Sequence, residues 1–238
     1  MKTEFRIILV KPRNPDNIGA AARAMANFGL RELALVNAFD SDWAEAERNW
    51  RKEASVAAID SMEIIDSARL YGSIPEAAEG CGLLLGTSSL HRVVPERDVL
   101  LLDQAAAYAQ ARGAEKVGLI FGSEKTGLTK EDLSFCSAIV NIPTRENQPS
   151  MNLGQAVAVA AYELAARGTQ APARERAAPL PSPMEIERVA AEISAKLARE
   201  AGKHWEGEAQ LRAIRRGLVD ARLTRDAMAA LKLLLKKP

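Results

Sequence analysis

Residues 117–164 constrain the fold more than any other stretch. Two short apolar runs lie there, 118–121 (GLIF) and 138–142 (AIVNI), each followed by a loop of Gly, Ser, Asn and Pro. An apolar run that short, without polar alternation and bounded by breakers, suits a strand buried on both faces. The first run leads into Gly122-Ser123-Glu124-Lys125-Thr126-Gly127. Its glycines either let the backbone approach a ligand or make a plain strand-to-helix turn. The second leads through 143–150 to Asn152, where an apolar helix begins with Leu153, Ala156, Val157, Ala160, Ala161 and Leu164 on one face. Two strand ends thus present loops at one sheet edge, the edge at which open α/β sheets bind ligands. Phosphate signatures are missing: no Gly-Lys-Ser/Thr closes the 122–127 loop, and no G-x-G-x-x-G follows a predicted strand. That disfavours a Rossmann cofactor site.

The rest of the first two thirds of the chain repeats the alternation. Residues 5–10 (FRIILV) predict a strand, ended by Lys11-Pro12-Arg13-Asn14-Pro15-Asp16-Asn17. A helix is expected over 18–28 with Gly29 as its stop, thin because Ala20, Ala21, Ala22, Ala24 and Ala26 supply most of it. Arg23 is its sole charge. It is either an ordinary surface arginine or a group that reaches the ligand edge. A strand over 32–36 precedes an irregular acidic stretch, 37–51, containing Trp43 and Trp50. Short helices are expected over 51–58 and 73–79, the second with a Ser73/Glu76 capping box. A glycine-bounded strand at 82–85 ends in Gly86-Thr87-Ser88-Ser89, a third loop of small residues at a strand end. Residues 98–111 are amphipathic, and Thr129 with Asp132 caps a short helix reaching Ser134. The alternation predicts an α/β fold: a mostly parallel sheet with helices on both faces.

Three regions follow from composition: a main domain over 1–167, a proline-rich linker over 168–183, and a helical C-terminal extension over 184–238. Ser182-Pro183-Met184-Glu185 opens the extension as a capping box. Ile186, Val189, Ile193 and Leu197 line its first helix, which Gly202 ends; helices over 207–218 and 225–236 turn Leu211, Ile214, Leu218, Met228, Leu231 and Leu235 inward. Such a module is marginal alone, so it packs on the main domain or on a partner. The formal net charge of +1 hides nine Lys/Arg against four Asp/Glu from residue 203 onward. That bias suits either nucleic acid or a solvated helix surface. Cys81 and Cys136 read as small buried hydrophobes, His91 and His204 are too few for a zinc site, and no residue cluster suggests a metal. The chain enters a strand directly, without a charged leader, and no run of about 18 apolar residues occurs, so a cytoplasmic protein without a membrane span is expected.

Three segments taken together, Asn17-x-Gly19-Ala20-x-x-Arg23, Phe121-Gly122-Ser123-Glu124-x-x-Gly127-Leu128, and Ile142-Pro143 followed by Ser150-Met151-Asn152-Leu153, resemble in order and spacing the motifs of the SpoU branch of the SPOUT methyltransferases. The resemblance covers residues 5–167, and the tail at 211–235 is similar to that of the TrmJ subfamily, which methylates the ribose 2′-oxygen of tRNA nucleotide 32. It implies a C-terminal deep trefoil knot, S-adenosylmethionine as cofactor, tRNA as substrate and a homodimer. Cofactor contacts carry over to Thr87, Ser88, Ser89, Gly122, Ile142, Pro149, Ser150 and Met151. Arg23 is implied to anchor the substrate phosphate and stabilise oxyanion charge. Asn17 orders the first loop or caps its helix; Glu124 receives polar contacts near the methyl group or pairs with a neighbouring Lys or Arg. Ser150 touches ribose or cofactor, and Asn152 pins the last turn. The alanine surface of residues 20–26 and the Ala/Val face of 156–161 suit the dimer contact. Three departures stand out: Leu90-His91-Arg92-Val93 carries one arginine where the subfamily has several, Arg145-Glu146-Asn147-Gln148 differs from the family pattern, and Pro149 replaces a small polar residue. Related readings are a 2′-O-methyltransferase acting on another tRNA position or on rRNA, and a non-catalytic knotted RNA-binding dimer.

Overall fold

A computed structural model describes residues 3–38, 43–91, 94–166 and 180–236, of which 43–48 and 166 are described by their backbone alone. Seven parallel strands form one sheet: β1 (Glu4–Val10), β2 (Glu32–Val36), β3 (Arg69–Tyr71), β4 (Leu83–Thr87), β5 (Val99–Leu101), β6 (Lys116–Phe121) and β7 (Ala138–Asn141), in the order β3-β2-β1-β6-β4-β7-β5. The central strands are apolar on both sides because both faces are covered. Ile7, Leu9, Leu85, Leu119 and Val140 point into one core. Ile8, Val10, Leu84, Ile120 and Ile139 point into the other. In register, Leu119 of β6 pairs with Ile7 of β1 on one side and Leu85 of β4 on the other. This order sets the carboxyl ends of β6, β4 and β7 side by side.

On the first face lie α1 (Pro15–Asn27), α2 (Trp43–Ala58), α3 (Met62–Ser67), α5 (Ala105–Ala111) and α7 (Leu153–Ala161). The second face carries two short helices, α4 (Ile74–Ala77) and α6 (Lys130–Ser134). A C-terminal bundle of α8 (Pro183–Ala201), α9 (Glu208–Asp220) and α10 (Arg225–Leu235) packs its own small core around Val189, Ala190, Leu218 and Met228. It adds to the second face by touching α4 with α8 and α6 with α9. The extension therefore docks on its own main domain. The linker expected over 168–183 lies outside the described residues up to 179.

Several expectations need correcting. The first helix begins at Pro15, capped by Asn14, whose side chain accepts from Asp16 N, so it holds Asp16 as well as Arg23. The stretch before residue 51 is helical from Trp43, and Trp50 is buried at 1% exposure in the first core. Residues 98–111 are not one amphipathic element. Val99, Leu100 and Leu101 pair with β7 as an edge strand, a short 3-10 helix spans Leu102–Gln104, and only then does α5 start. The Val-Leu-Leu run is extended there, despite the helix propensity of its leucines, because β7 offers it a partner, which no local periodicity reveals. Helix α3 and strand β3 were not foreseen.

The thin alanine helix is packed closely on two sides. A Cβ added at Gly19 would lie 2.1 Å from the backbone oxygen of Ala54 in α2, and one at Gly154 of α7 would lie 2.7 Å from the Cβ of Ala20. Helix α1 is thus wedged between α2 and α7, and much of the small-residue surface expected at a dimer contact is consumed inside the chain: Ala21, Ala22, Ala24, Ala160 and Ala161 are buried. Among the described residues no helix is long and apolar enough to cross a membrane.

Candidate active site

At the adjoining carboxyl ends of β4, β6 and β7 the chain forms a cleft of about 190 Å³. Thr87, Ser88, Ser89, Gly122, Ile142, Pro149, Ser150 and Met151, the eight residues singled out from the sequence, all line it. Its floor is apolar, made by Phe121, Val140, Leu153 and Ile142, and its rim carries hydroxyls and main-chain groups.

The loops are held by the protein's own hydrogen bonds. The Thr87 hydroxyl donates to Ile120 O at 2.9 Å, and Ser88 N donates to Val140 O at 3.1 Å. Asn141 Nδ2 donates to Ser88 O at 2.9 Å, and Ser88 Oγ accepts from Leu90 N at 3.1 Å. The Thr87 hydroxyl proton and a Ser88 Oγ lone pair are therefore used in shaping the loop. After β6 the chain doubles back, with Gly127 N donating to Ser123 O at 2.8 Å. A Cβ on Gly122 would sit 2.1 Å from the carbonyl carbon of Gly127, which itself holds φ +69°. Those glycines are required by the turn itself, whatever binds beside it. On the third loop the Thr144 hydroxyl donates to Pro149 O at 3.1 Å.

A chain of side chains ties the first loop to the other two. Glu124 accepts from Arg13 N at 3.0 Å, from Asn14 N at 3.3 Å and from Asn17 Nδ2 at 2.8 Å. Asn17 Oδ1 accepts from Asn152 Nδ2 at 2.8 Å, and Asn152 Oδ1 accepts from Gly154 N at 2.9 Å and Gln155 N at 3.3 Å. Asn17 is thus a connector and not a helix cap; Asn14 and Asn152 are the caps. Glu124 uses its carboxylate on N–H donors, and among the described residues it forms no ion pair with a Lys or Arg.

Ser150 sits exposed on the rim. Arg23 does not enter the cleft of its own chain: it is exposed on α1, about 9 Å along the helix axis from Asn17 at 1.5 Å per residue. Sequence reasoning passed over His91, Thr144, Lys125 and Thr126, which also line the cleft. Lys125 and Thr126 lie inside the 122–127 loop, and His91 and Thr144 lie just beyond strand-end motifs. Of the loop with its missing arginines, Arg92 and Val93 lie outside the described residues. Burial pushes the Cys81 thiol up to about 11 and the Cys136 thiol up to about 12, so at neutral pH both remain protonated hydrophobes under the sheet. Among the described residues no group of His, Cys, Asp or Glu could hold a metal ion.

The family model described as the SpoU rRNA Methylase family matches residues 4–162. A relative from Pseudomonas aeruginosa, named tRNA (cytidine/uridine/adenosine-2′-O-)-methyltransferase TrmJ, is 37% identical over 170 residues, 69% of this chain and 61% of its own length. The tRNA (cytidine/uridine-2′-O-)-methyltransferase TrmJ of Pectobacterium atrosepticum is 34% identical over 69% of this chain and 65% of its own. The matched region therefore spans less than two thirds of these curated relatives. The crystal structure of TrmJ from Z. mobilis ZM4 superposes with a TM-score of 0.81 at 28% identity, covering 97% of this chain and 96% of that one. By a family match that takes in the whole sheet and the cleft, the chain belongs to the SpoU rRNA methylase family.

Proposed function

We propose that this chain transfers a methyl group from S-adenosylmethionine to a ribose 2′-hydroxyl of tRNA, at cytidine or uridine 32 of the anticodon loop. One observation carries the reading: the eight predicted cofactor residues, scattered over 65 positions from Thr87 to Met151, converge on a single cleft. The cleft fits the cofactor in kind. An apolar floor suits a purine face, main-chain N–H and C=O groups around Gly122, Ile142 and Met151 suit its polar edge, and Glu124 supplies negative charge at the rim. When bound, S-adenosylmethionine supplies an electrophilic methyl group on a sulfonium sulfur.

The chain's own residues then have a positioning task, which in well-oriented reactions is worth about 7 to 11 kcal/mol. The Glu124–Asn17–Asn152 chain fixes the loop after β1 against the 122–127 loop and the start of α7. Ser150 meets the ribose at the rim. Arg23 grips the neighbouring phosphate and stabilises charge on the attacking oxygen; a guanidinium gives up no proton at neutral pH, so the hydroxyl proton leaves to phosphate or water.

Because Arg23 lies outside its own cleft, this reading needs a homodimer in which α1 of one copy faces the cleft of the other. The exposed Val159 and Tyr162, the latter edge-on to Phe28 with ring centroids 5.5 Å apart, leave apolar surface on α7 and just beyond it that supports such a contact. The reading includes a trefoil knot within 117–164 and a cytoplasmic location. The insertion of β7 between β4 and β5 supports threading there. It also assigns tRNA contact to the basic tail. Transfer of a tritiated methyl group to total tRNA, followed by nucleoside mapping, tests it: label is expected in 2′-O-methylated cytidine or uridine at position 32. Since the matching family is described by rRNA, the same transfer is run on rRNA in parallel, and label there with none in tRNA would move the activity to that substrate. Cofactor binding without any transfer would favour the non-catalytic dimer.

A further inference from the structure

The C-terminal bundle meets the sheet domain through an arginine removed from water. Arg215 of α9 is 2% exposed. Its Nε and Nη2 donate to the two carboxylate oxygens of Glu187 on α8, at 2.7 and 3.2 Å. Its Nη1 donates to Glu131 Oε1 and to Ser134 Oγ on α6, both at 2.6 Å, and its guanidinium lies over the Phe135 ring at 3.9 Å. A charge this buried is tolerated only when fully paired, and a rigid planar fork shared by carboxylates from two helices fixes their relative position. A second arginine grips the same short helix from the sheet side. Arg97, with 3% of its side chain exposed, donates to Ser134 O at 2.9 Å and to Asp220 of α9 at 2.5 Å.

Helix α6 follows directly on the 122–128 loop that lines the candidate active site. It begins two residues after Leu128, which closes the 122–128 loop. Leu128 and Leu133 also press on Gly86, immediately before Thr87: a Cβ there would lie 3.2 Å from Leu128 Cδ1 and 2.7 Å from Leu133 Cδ2. Whatever holds α6 therefore holds two of the three loops that shape the cleft.

We infer that Arg215 is a positioning residue for the cofactor cleft, and that the C-terminal bundle acts through α6 to keep the 122–128 and 87–89 loops in their binding form. The inference rests on the S-adenosylmethionine reading of that cleft. It gives the extension a task inside its own chain, separate from any contact with RNA.

The test uses the full chain with Arg215→Met and with Glu131→Gln. The second keeps Arg215 paired to Glu187 and changes a half-exposed group, so it decides the matter if the first fails to fold. Hydrogen exchange over residues 122–134, without ligand, is expected to quicken in both variants. Calorimetry with S-adenosylmethionine is expected to show binding weakened about tenfold, the effect of loops that hold their binding form one time in ten. Glu63→Gln, which breaks the exposed Arg31–Glu63 pair on α3, serves as a control and is expected to change neither readout. Wild-type exchange over 122–134 together with wild-type cofactor affinity in both variants would overturn the inference, whatever happens to tRNA binding. A wild-type chain that binds no S-adenosylmethionine would instead sink the cofactor reading, while the exchange measurement still decides whether the bundle holds the loop.

Discussion

A side-chain amide does not say which end donates until its neighbours are known, and here the neighbours decide for both Asn17 and Asn152. Glu124 can only accept, so Asn17 turns its NH₂ toward it; the backbone N–H groups of Gly154 and Gln155 can only donate, so Asn152 turns its oxygen toward them. The two remaining ends then match each other. Asn17→Ala is expected to cost about 1 kcal/mol, a hydrogen bond to a charged but solvent-exposed group, seen as a Tm lowered by a few degrees. Asn17→Asp should cost more, because it sets one carboxylate against another. Equal melting of the two variants would disprove this wiring. Arg23→Lys keeps the charge and loses the planar fork, so methyl transfer to tRNA should fall to a small fraction of wild type with cofactor binding unchanged. Initial rates at normal level would count against a phosphate-gripping guanidinium. At this scale the sequence named the residues, since motif order is local information. It did not reveal that Glu124 binds backbone N–H groups of the first loop, a contact across more than a hundred positions.

Elements show the same division. Glycine, proline and capping residues marked the helix starts at Thr129 and Ser182, and both caps form as the local chemistry demands. They did not mark β5, whose pairing partner lies forty residues downstream. Two glycines inside helices give a paired prediction from packing alone. Ala has the higher helix propensity by about 1 kcal/mol, so Gly217→Ala, which meets nothing within 4 Å, should stabilise the chain by roughly that amount. At Gly19 the same change drives a methyl group into Ala54 O of α2, and overpacking of that kind costs about 1–3 kcal/mol, so the variant should unfold at lower denaturant. Denaturant midpoints measured side by side must move in opposite directions. The alanines of α1 were legible as a sign of close packing; which helices do the packing was not.

For the whole molecule, the meaning of the charge count changes once the chain is folded. Of the nine Lys/Arg counted from residue 203 on, Arg212, Arg215 and Arg216 face the main domain and pair with Glu131, Glu187, Glu96 or Asp220. Lys203, Arg222 and Lys236 stay exposed. If the tail binds tRNA as proposed, changing any of these three to Gln should flatten the dependence of log affinity on log salt by about one for each phosphate that the chain then leaves unneutralised. Arg216→Gln should leave that slope nearly unchanged, and a titration series from low to moderate salt checks both. Strand and helix alternation, the loops of small residues at strand ends and the separate helical tail were all determined by the amino-acid order, because periodicity, breakers and caps act over a few residues. The order of strands, the consumption of the alanine surface within one chain, the docking of the tail through Arg215 and the wiring of Glu124 were decided only by tertiary structure. Each depends on atoms brought together from distant positions, and burial and hydrogen-bond geometry exist only after that meeting.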